Sequence, residues 1–213
     1  MENTLTQTNS INISGKIVSA FEESHCVYGE KFFKFYLETE RLSNSCDILP
    51  VTISERLLPD NNFEIGDYVE INGQIRSYNN YTPEKTHLVL TIFVKDIFKV
   101  SEEEKNINSV CLNGYTCKSA VYRTTPFGRE IADILLAVNR AYNKSDYIPC
   151  ICWGRNARFA NSLCIGTNIK ICGRMQSRNY QKKLDDGTVI EKIAYEVSIS
   201  KIELVHNEHN TEL

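Results

Sequence analysis

The chain has 213 residues, 42% of them hydrophobic and 24% charged, enough for two modest domains with ordinary cores. No apolar run approaches the roughly 18 residues that a membrane-spanning helix needs. The net charge of −3 hides an asymmetry: residues 1–105 hold 10 basic against 17 acidic side chains, and residues 106–205 hold 14 against 8. An acidic half joined to a basic half predicts partners of different kinds, and the basic half is the one suited to a polyanion.

In chain order, residues 1–10 are polar and have neither the basic start nor the apolar core of a secretory signal, so they are expected to form a tail. Five strands are predicted near 11–24, 31–42, 47–54, 67–78 and 86–100. Residues 101–108 read as a short charged linker. Five more strands are predicted near 109–122, 129–140, 146–153, 167–178 and 189–205, and a polar tail from His206 to Leu213. Alternation is clearest in Val69–Ile75 and Ile169–Met175. Between the third and fourth strands of the second set, Arg155–Leu163 predicts a short helix ending before Gly166. The first set has Pro59 and Asn61-Asn62 there, which leave at most one turn. Asp185-Asp186-Gly187 marks a hairpin tip, and Gly73 and Gly173 predict bends where a small barrel closes.

The two sets are copies. At an offset of 99, Ser14-Gly15 meets Asn113-Gly114, Leu37 meets Leu136, Arg41 meets Arg140, and Asp47-Ile-Leu-Pro50 meets Asp146-Tyr-Ile-Pro149. After one inserted residue the offset becomes 100, and Ile65-Gly66 meets Ile165-Gly166 while Gly73 meets Gly173. Five strands with a helix between the third and fourth is the order of an OB-fold. The expected architecture is therefore all-β: two tandem OB-folds, each a five-stranded Greek-key barrel, over 11–100 and 109–205.

Eight cysteines raise disulfides and zinc as options, but there is no Cys-x-x-Cys. Most cysteines alternate with aliphatic residues, as buried free thiols do, and a reducing cytoplasm is the natural setting. No metal site and no cofactor are expected. No nucleophile stands at a recognisable spacing from a base, and no Gly-rich phosphate loop exists, so the chain does not read as an enzyme.

The chemistry concentrates in the second repeat. Tyr142, Tyr147, Trp153 and Tyr180 fall outside the predicted interiors, interleaved with Arg140, Lys144, Arg155, Arg174, Arg178, Lys182 and Lys183. On Asp146–Arg155, period-two alternation puts Ile148, Cys150 and Cys152 on one face and Tyr147, Pro149, Ile151 and Trp153 on the other. Arg174 and Arg178 are expected to share the outward face of the fourth strand with Gln176 between them. Aromatic rings stack on bases at about 1–3 kcal/mol each while Arg and Lys follow the phosphates, which suits a sequence-tolerant binder of single strands. No recognition helix for duplex DNA appears. The first repeat serves as an internal control. There Tyr142, Tyr147, Trp153 and Tyr180 become Ser43, Ile48, Ser54 and Asn80, whereas the interior set Leu49, Val51 and Ile53 persists. The fold does not require rings at these positions.

Leu136–Tyr142, Ser145–Arg155 and Ile165–Tyr180 together resemble the bacterial single-stranded DNA-binding protein family. The resemblance covers about 107–205 and extends faintly over 11–100. It implies an OB-fold, a cytoplasmic role in DNA replication, recombination or repair, and stacking by aromatic residues at the four positions held here by Tyr142, Tyr147, Trp153 and Tyr180. It also implies a homo-oligomer; a duplicated chain reaches four folds as a dimer. The family's long tail with an acidic, Phe-terminated tip has no counterpart in Asn207–Leu213. The first repeat is expected to support assembly or to bind a replication or repair protein. An OB-fold adaptor without DNA affinity and an RNA-binding OB protein are the alternatives.

Overall fold

The computed structural model describes residues 8–58, 63–81, 86–101, 107–183 and 186–205. Residues 1–7 of the expected N-terminal tail, the whole expected tail from 206 to 213, most of the linker, Pro59 with Asn61-Asn62, and Asp185 of the expected hairpin tip lie outside the described residues. The chain forms two compact units. The first comprises Ser10–Ser109 with Met175–Glu196, and the second comprises Met1–Asn9, Val110–Arg174 and Val197–Leu213.

The first repeat contains β1 (Asn9–Ile17), β2 (Glu22–Val27), β3 (Glu30–Glu40), β4 (Cys46–Ser54), a 3-10 turn (Glu55–Leu57), β5 (Tyr68–Tyr81) and β6 (Thr86–Lys99). β3 pairs antiparallel with β4, β4 parallel with β6, β6 antiparallel with β5, and β5 antiparallel with β1. β1 then returns to β3 at Lys16–Glu38 and Ile17–Leu37, closing the barrel in OB-fold order. Ile13, Ile17, Phe35, Leu37, Leu49, Val51, Ile53, Ile71, Ile75 and Ile92 fill its interior. Each of the large side chains contributes about 1.5–3 kcal/mol by leaving water.

The second repeat contains β7 (Asn108–Thr116), β8 (Val121–Thr124), β9 (Glu130–Arg140), β10 (Lys144–Trp153), α1 (Arg155–Asn161), β11 (Asn168–Lys183) and β12 (Val189–Leu204). The pairings repeat: β9 with β10, β10 parallel with β12, β11 with β7, and β7 back onto β9 at Tyr115–Ala137 and Thr116–Leu136. Helix α1 buries Ala157 and Ala160, one face of a two-turn segment. Its counterpart in the first repeat is the single 3-10 turn, as Pro59 and Asn61-Asn62 lead one to expect.

The first strand of each repeat, expected as one piece, is two. β1 pairs with the C-terminal part of β3, and β2 with its N-terminal part, from Glu22–Lys34 to Val27–Glu30. β1 must leave β3 to reach β5, so the chain breaks between them; the Tyr36 N–H donates to Ser19 Oγ at 2.8 Å at that break. β7 and β8 divide β9 in the same way. Glycines sit where backbones meet. A Cβ at Gly15 would overlap the Glu38 carbonyl, and one at Gly114 the Ala137 carbonyl, at the barrel seam. Gly73 and Gly173 stand equally tight against the Phe93 and Ser198 carbonyls, and the ladder shifts register between Asn72 and Gly73.

Candidate nucleic-acid interface

The β9–β10 hairpin carries most of the expected site. Its tip holds Tyr142 and Asn143 at φ of 62° and 53°, a left-handed turn that pushes the Tyr142 ring into solvent, 94% exposed. Arg140 and Lys144 face each other across the ladder just below. Tyr147 and Trp153 follow on one face of β10, 45% and 41% exposed, with their partners Ala137 and Ile131 on β9. The two rings are six positions apart, about 20 Å of extended strand. The Trp153 indole N–H donates to Ser198 Oγ at 3.3 Å, which ties the edge of the ring to β12. Gly154 then turns with φ 53° and donates its N–H to Glu130 O, and α1 starts at the exposed Arg155.

Two sequence expectations change. Ile151 shares the face of Tyr147 and Trp153 but is buried, because β12 runs in parallel beside it at the Ile151–Ser198 register. Pro149 is half-buried. The face is therefore two exposed rings separated by a closed middle. The opposite side behaves as expected: Ile148, Cys150 and Cys152 are buried. Burial, with the nearby Asp133 charge, pushes the Cys152 thiol up to about 12. The general expectation of buried thiols holds only there. Cys26, Cys46 and Cys164 are exposed, and Cys111, Cys117 and Cys172 are intermediate.

Arg140 is engaged by the fold. Its Nη1 lies 3.6 Å from Oδ1 of the fully buried Asp146. The first repeat has the same pair in Arg41 and Asp47, so the pairing is a property of the barrel that both copies keep. Lys144 is exposed, and Arg174 is half-buried on β11.

Arg178, Tyr180, Lys182 and Lys183 belong to the first unit with the rest of 175–196. The expected outward face around Gln176 is a buried polar network there. Gln176 Nε2 donates to Glu196 Oε1 at 2.9 Å, and Arg178 reaches both Glu196 oxygens at 3.3 and 3.4 Å. Both Gln176 and Glu196 are under a tenth exposed. The Arg178 guanidinium also lies 5.9 Å from the centre of the Tyr180 ring, which is 37% exposed. Lys182 is half-buried and Lys183 exposed.

Phe127 and Tyr28 are exposed rings that the alternation pattern does not single out. Phe127, 92% exposed, tips the β8–β9 turn, where Gly128 adopts φ 75° and donates to the Thr125 carbonyl at 2.9 Å. The signal was present: Thr-Pro-Phe-Gly is a turn sequence, and Tyr28-Gly29 occupies the same place in the first repeat. Tyr28 is fully exposed on a two-residue turn between Val27 and Glu30.

The family model of the single-strand binding protein family matches residues 107–205. Single-stranded DNA-binding protein 1 of Staphylococcus aureus (strain COL) is 38% identical over 84 residues, 36% of this chain and 50% of that protein. The single-stranded DNA-binding protein of Clostridium tetani (strain Massachusetts / E88) is 38% identical over 101 residues, 43% of this chain and 68% of that protein. Among solved structures, a deletion mutant of the single-stranded DNA binding protein from Thermus aquaticus superposes with a TM-score of 0.76 at 15% identity, covering 96% of this chain and 98% of that one. That likeness extends the shared fold over both repeats. The chain spans about half the length of the Staphylococcus aureus relative. With two thirds of the Clostridium tetani protein matched at that identity, the chain belongs to the single-strand binding protein family.

Proposed function

We propose that the chain binds single-stranded DNA without strong sequence preference, through the second OB-fold, and shields it during replication, recombination or repair in the cytoplasm. The observation that carries this reading is the contrast between repeats. Tyr142, Tyr147, Trp153 and Tyr180 are exposed rings, and their first-repeat counterparts are Ser43, Ile48, Ser54 and Asn80 on the same fold. Bases stack on the rings, and Lys144, Arg155, Arg174, Lys182 and Lys183 follow the phosphates. Arg140 and Arg178 contribute from within their ion pairs. The names of the relatives favour DNA as the ligand. The domains of this reading are 11–100 and 109–205. The acidic first fold supports assembly or a replication or repair protein, and a dimer of chains supplies four folds.

The test is a competition. A labelled oligothymidylate is bound by the full chain at low salt, then challenged with unlabelled single-stranded DNA, matched RNA and duplex DNA. Displacement by single-stranded DNA well below the concentrations needed for RNA and duplex supports the reading. Equal displacement by RNA moves the function to RNA, and absence of binding favours an adaptor role. Light scattering on the same sample reads the expected dimer mass.

A further inference from the structure

We propose that Cys111 and Cys172 form a reversible disulfide that pins β7 to β11 in the second OB-fold. This inference is independent of the DNA-binding reading. The two residues are direct partners in the antiparallel ladder, and their Sγ atoms lie 2.8 Å apart. Cys111 sits between the buried Val110 and Leu112, and Cys172 follows the buried Ile171, so both side chains point away from the barrel interior. Both are half-buried, within reach of a small oxidant. Directly opposed residues of an antiparallel pair have Cα atoms about 4.5–5.5 Å apart, inside the range a disulfide requires.

The first repeat supplies the control. The same ladder position is held by Asn12 and Asn72, also direct partners, with Asn12 Nδ2 donating to Asn72 Oδ1 at 3.0 Å. The barrel therefore brings two side-chain ends together here in both copies, and it does so without sulfur. Only the second copy carries thiols at this ladder position. Burial and the Cys111 contact push the Cys172 thiol up, against the pull of Lys170 and Lys201.

A peroxide is the oxidant. One sulfur attacks the O–O bond, which breaks; a sulfenic acid forms and water leaves. The second sulfur attacks the sulfenic sulfur, the S–O bond breaks, the S–S bond forms, and a second water carries away the remaining proton. Two thiols are oxidised and one peroxide is reduced to two waters. A thiol reductant reverses the bridge. The bridge joins positions 61 residues apart, a loop long enough for the cross-link to restrict the unfolded chain substantially.

The experiment treats the full chain with equimolar hydrogen peroxide, alkylates the remaining thiols, and maps peptides by mass spectrometry without reduction. The expected result is a Cys111–Cys172 linked peptide from monomeric chain, with a melting temperature raised on the order of 5 °C and restored by dithiothreitol. Cys111→Ser and Cys172→Ser variants should lose both effects. A double variant, Cys111→Asn with Cys172→Asn, copies the first repeat's pair; it should fold and show no peroxide-dependent shift. Cys111 and Cys172 remaining alkylatable while Cys26, Cys46 or Cys164 is oxidised would overturn the proposal. So would linkage found only between chains, or a peroxide-dependent shift that survives in the double variant.

Discussion

Arg41 grips Asp47 with two hydrogen bonds, Nε to Oδ2 at 2.8 Å and Nη2 to Oδ1 at 2.5 Å, and the carboxylate it grips is fully buried. Ser177, 130 positions away, adds its backbone N–H at 2.7 Å and its hydroxyl at 3.1 Å to Oδ1, while Arg41 Nη2 also donates to the Ser177 carbonyl. One arginine, one aspartate and one backbone segment thus fasten the end of the β11–β12 hairpin into the first unit. Removing Arg41 would take the guanidinium away from a fully buried carboxylate. Arg41→Ala should cost about 3 kcal/mol, read as a drop in thermal midpoint of roughly 6–12 °C.

The same cluster sets an acid dependence. Burial pushes the Asp47 carboxyl up, but the bonds from Arg41 and Ser177 outweigh it and hold the group below the usual carboxylate range. A lowered folded value means that the contribution is complete above about pH 4, the unfolded value, and fades as pH falls through the folded one. Asp47→Asn should therefore melt well below wild type at pH 7, and the gap should narrow in acid. A gap unchanged down to pH 3 would remove the carboxylate from the account.

The seam glycines make a second stability prediction. Gly114→Ala drives a Cβ into the Ala137 carbonyl, which belongs to a paired strand and cannot move alone. A loss of about 2 kcal/mol or more is expected in denaturant unfolding. Gly128→Ala has open space and only its φ of 75° against it, so about 1 kcal/mol is expected.

Restoring rings to the first repeat separates tolerance from function. Ile48 is 45% exposed on β4, so Ile48→Tyr should leave stability within about 0.5 kcal/mol. Ser54→Trp should not be tolerated. Ser54 is buried, donates to Glu30 and accepts the Arg56 N–H at 3.1 Å to cap the 3-10 turn. The position that holds Trp153 in one copy has become a cap in the other.

Salt reads the phosphate contacts. Lys144 is exposed at the tip of the β9–β10 hairpin. Lys144→Ala should weaken binding to every single strand alike and flatten the log–log salt slope by about 0.7, the value of one contact on a single strand. An unchanged slope would take Lys144 out of the interface.

Much of this was legible in the sequence because it is local or repeated. The strand pattern and the short helix after Trp153 follow from alternation and from the register between copies, whereas barrel closure, expected at Gly73 and Gly173, has its seam at Gly15 and Gly114. The break between β1 and β2 was not legible, because it comes from one strand serving two partners rather than from any breaker residue. Nor was the Asp47–Ser177 contact, since only the folded chain brings those positions together. Gln176 lies on a face that alternation marks as outward but is buried against Glu196, while Arg178 on that face stays exposed. Cys111 and Cys172 each looked like filler until the β7–β11 ladder set them opposite one another.

The central claim rests on Trp153, the only tryptophan in the chain. Its intrinsic fluorescence, followed while oligothymidylate is added to the full chain at low salt, reports stacking at the proposed site directly. Strong saturable quenching, reversed by salt, is expected, with affinity lowered by about 1–3 kcal/mol in Tyr147→Ala. Tight binding with no change in Trp153 emission, or no binding at all, would contradict it.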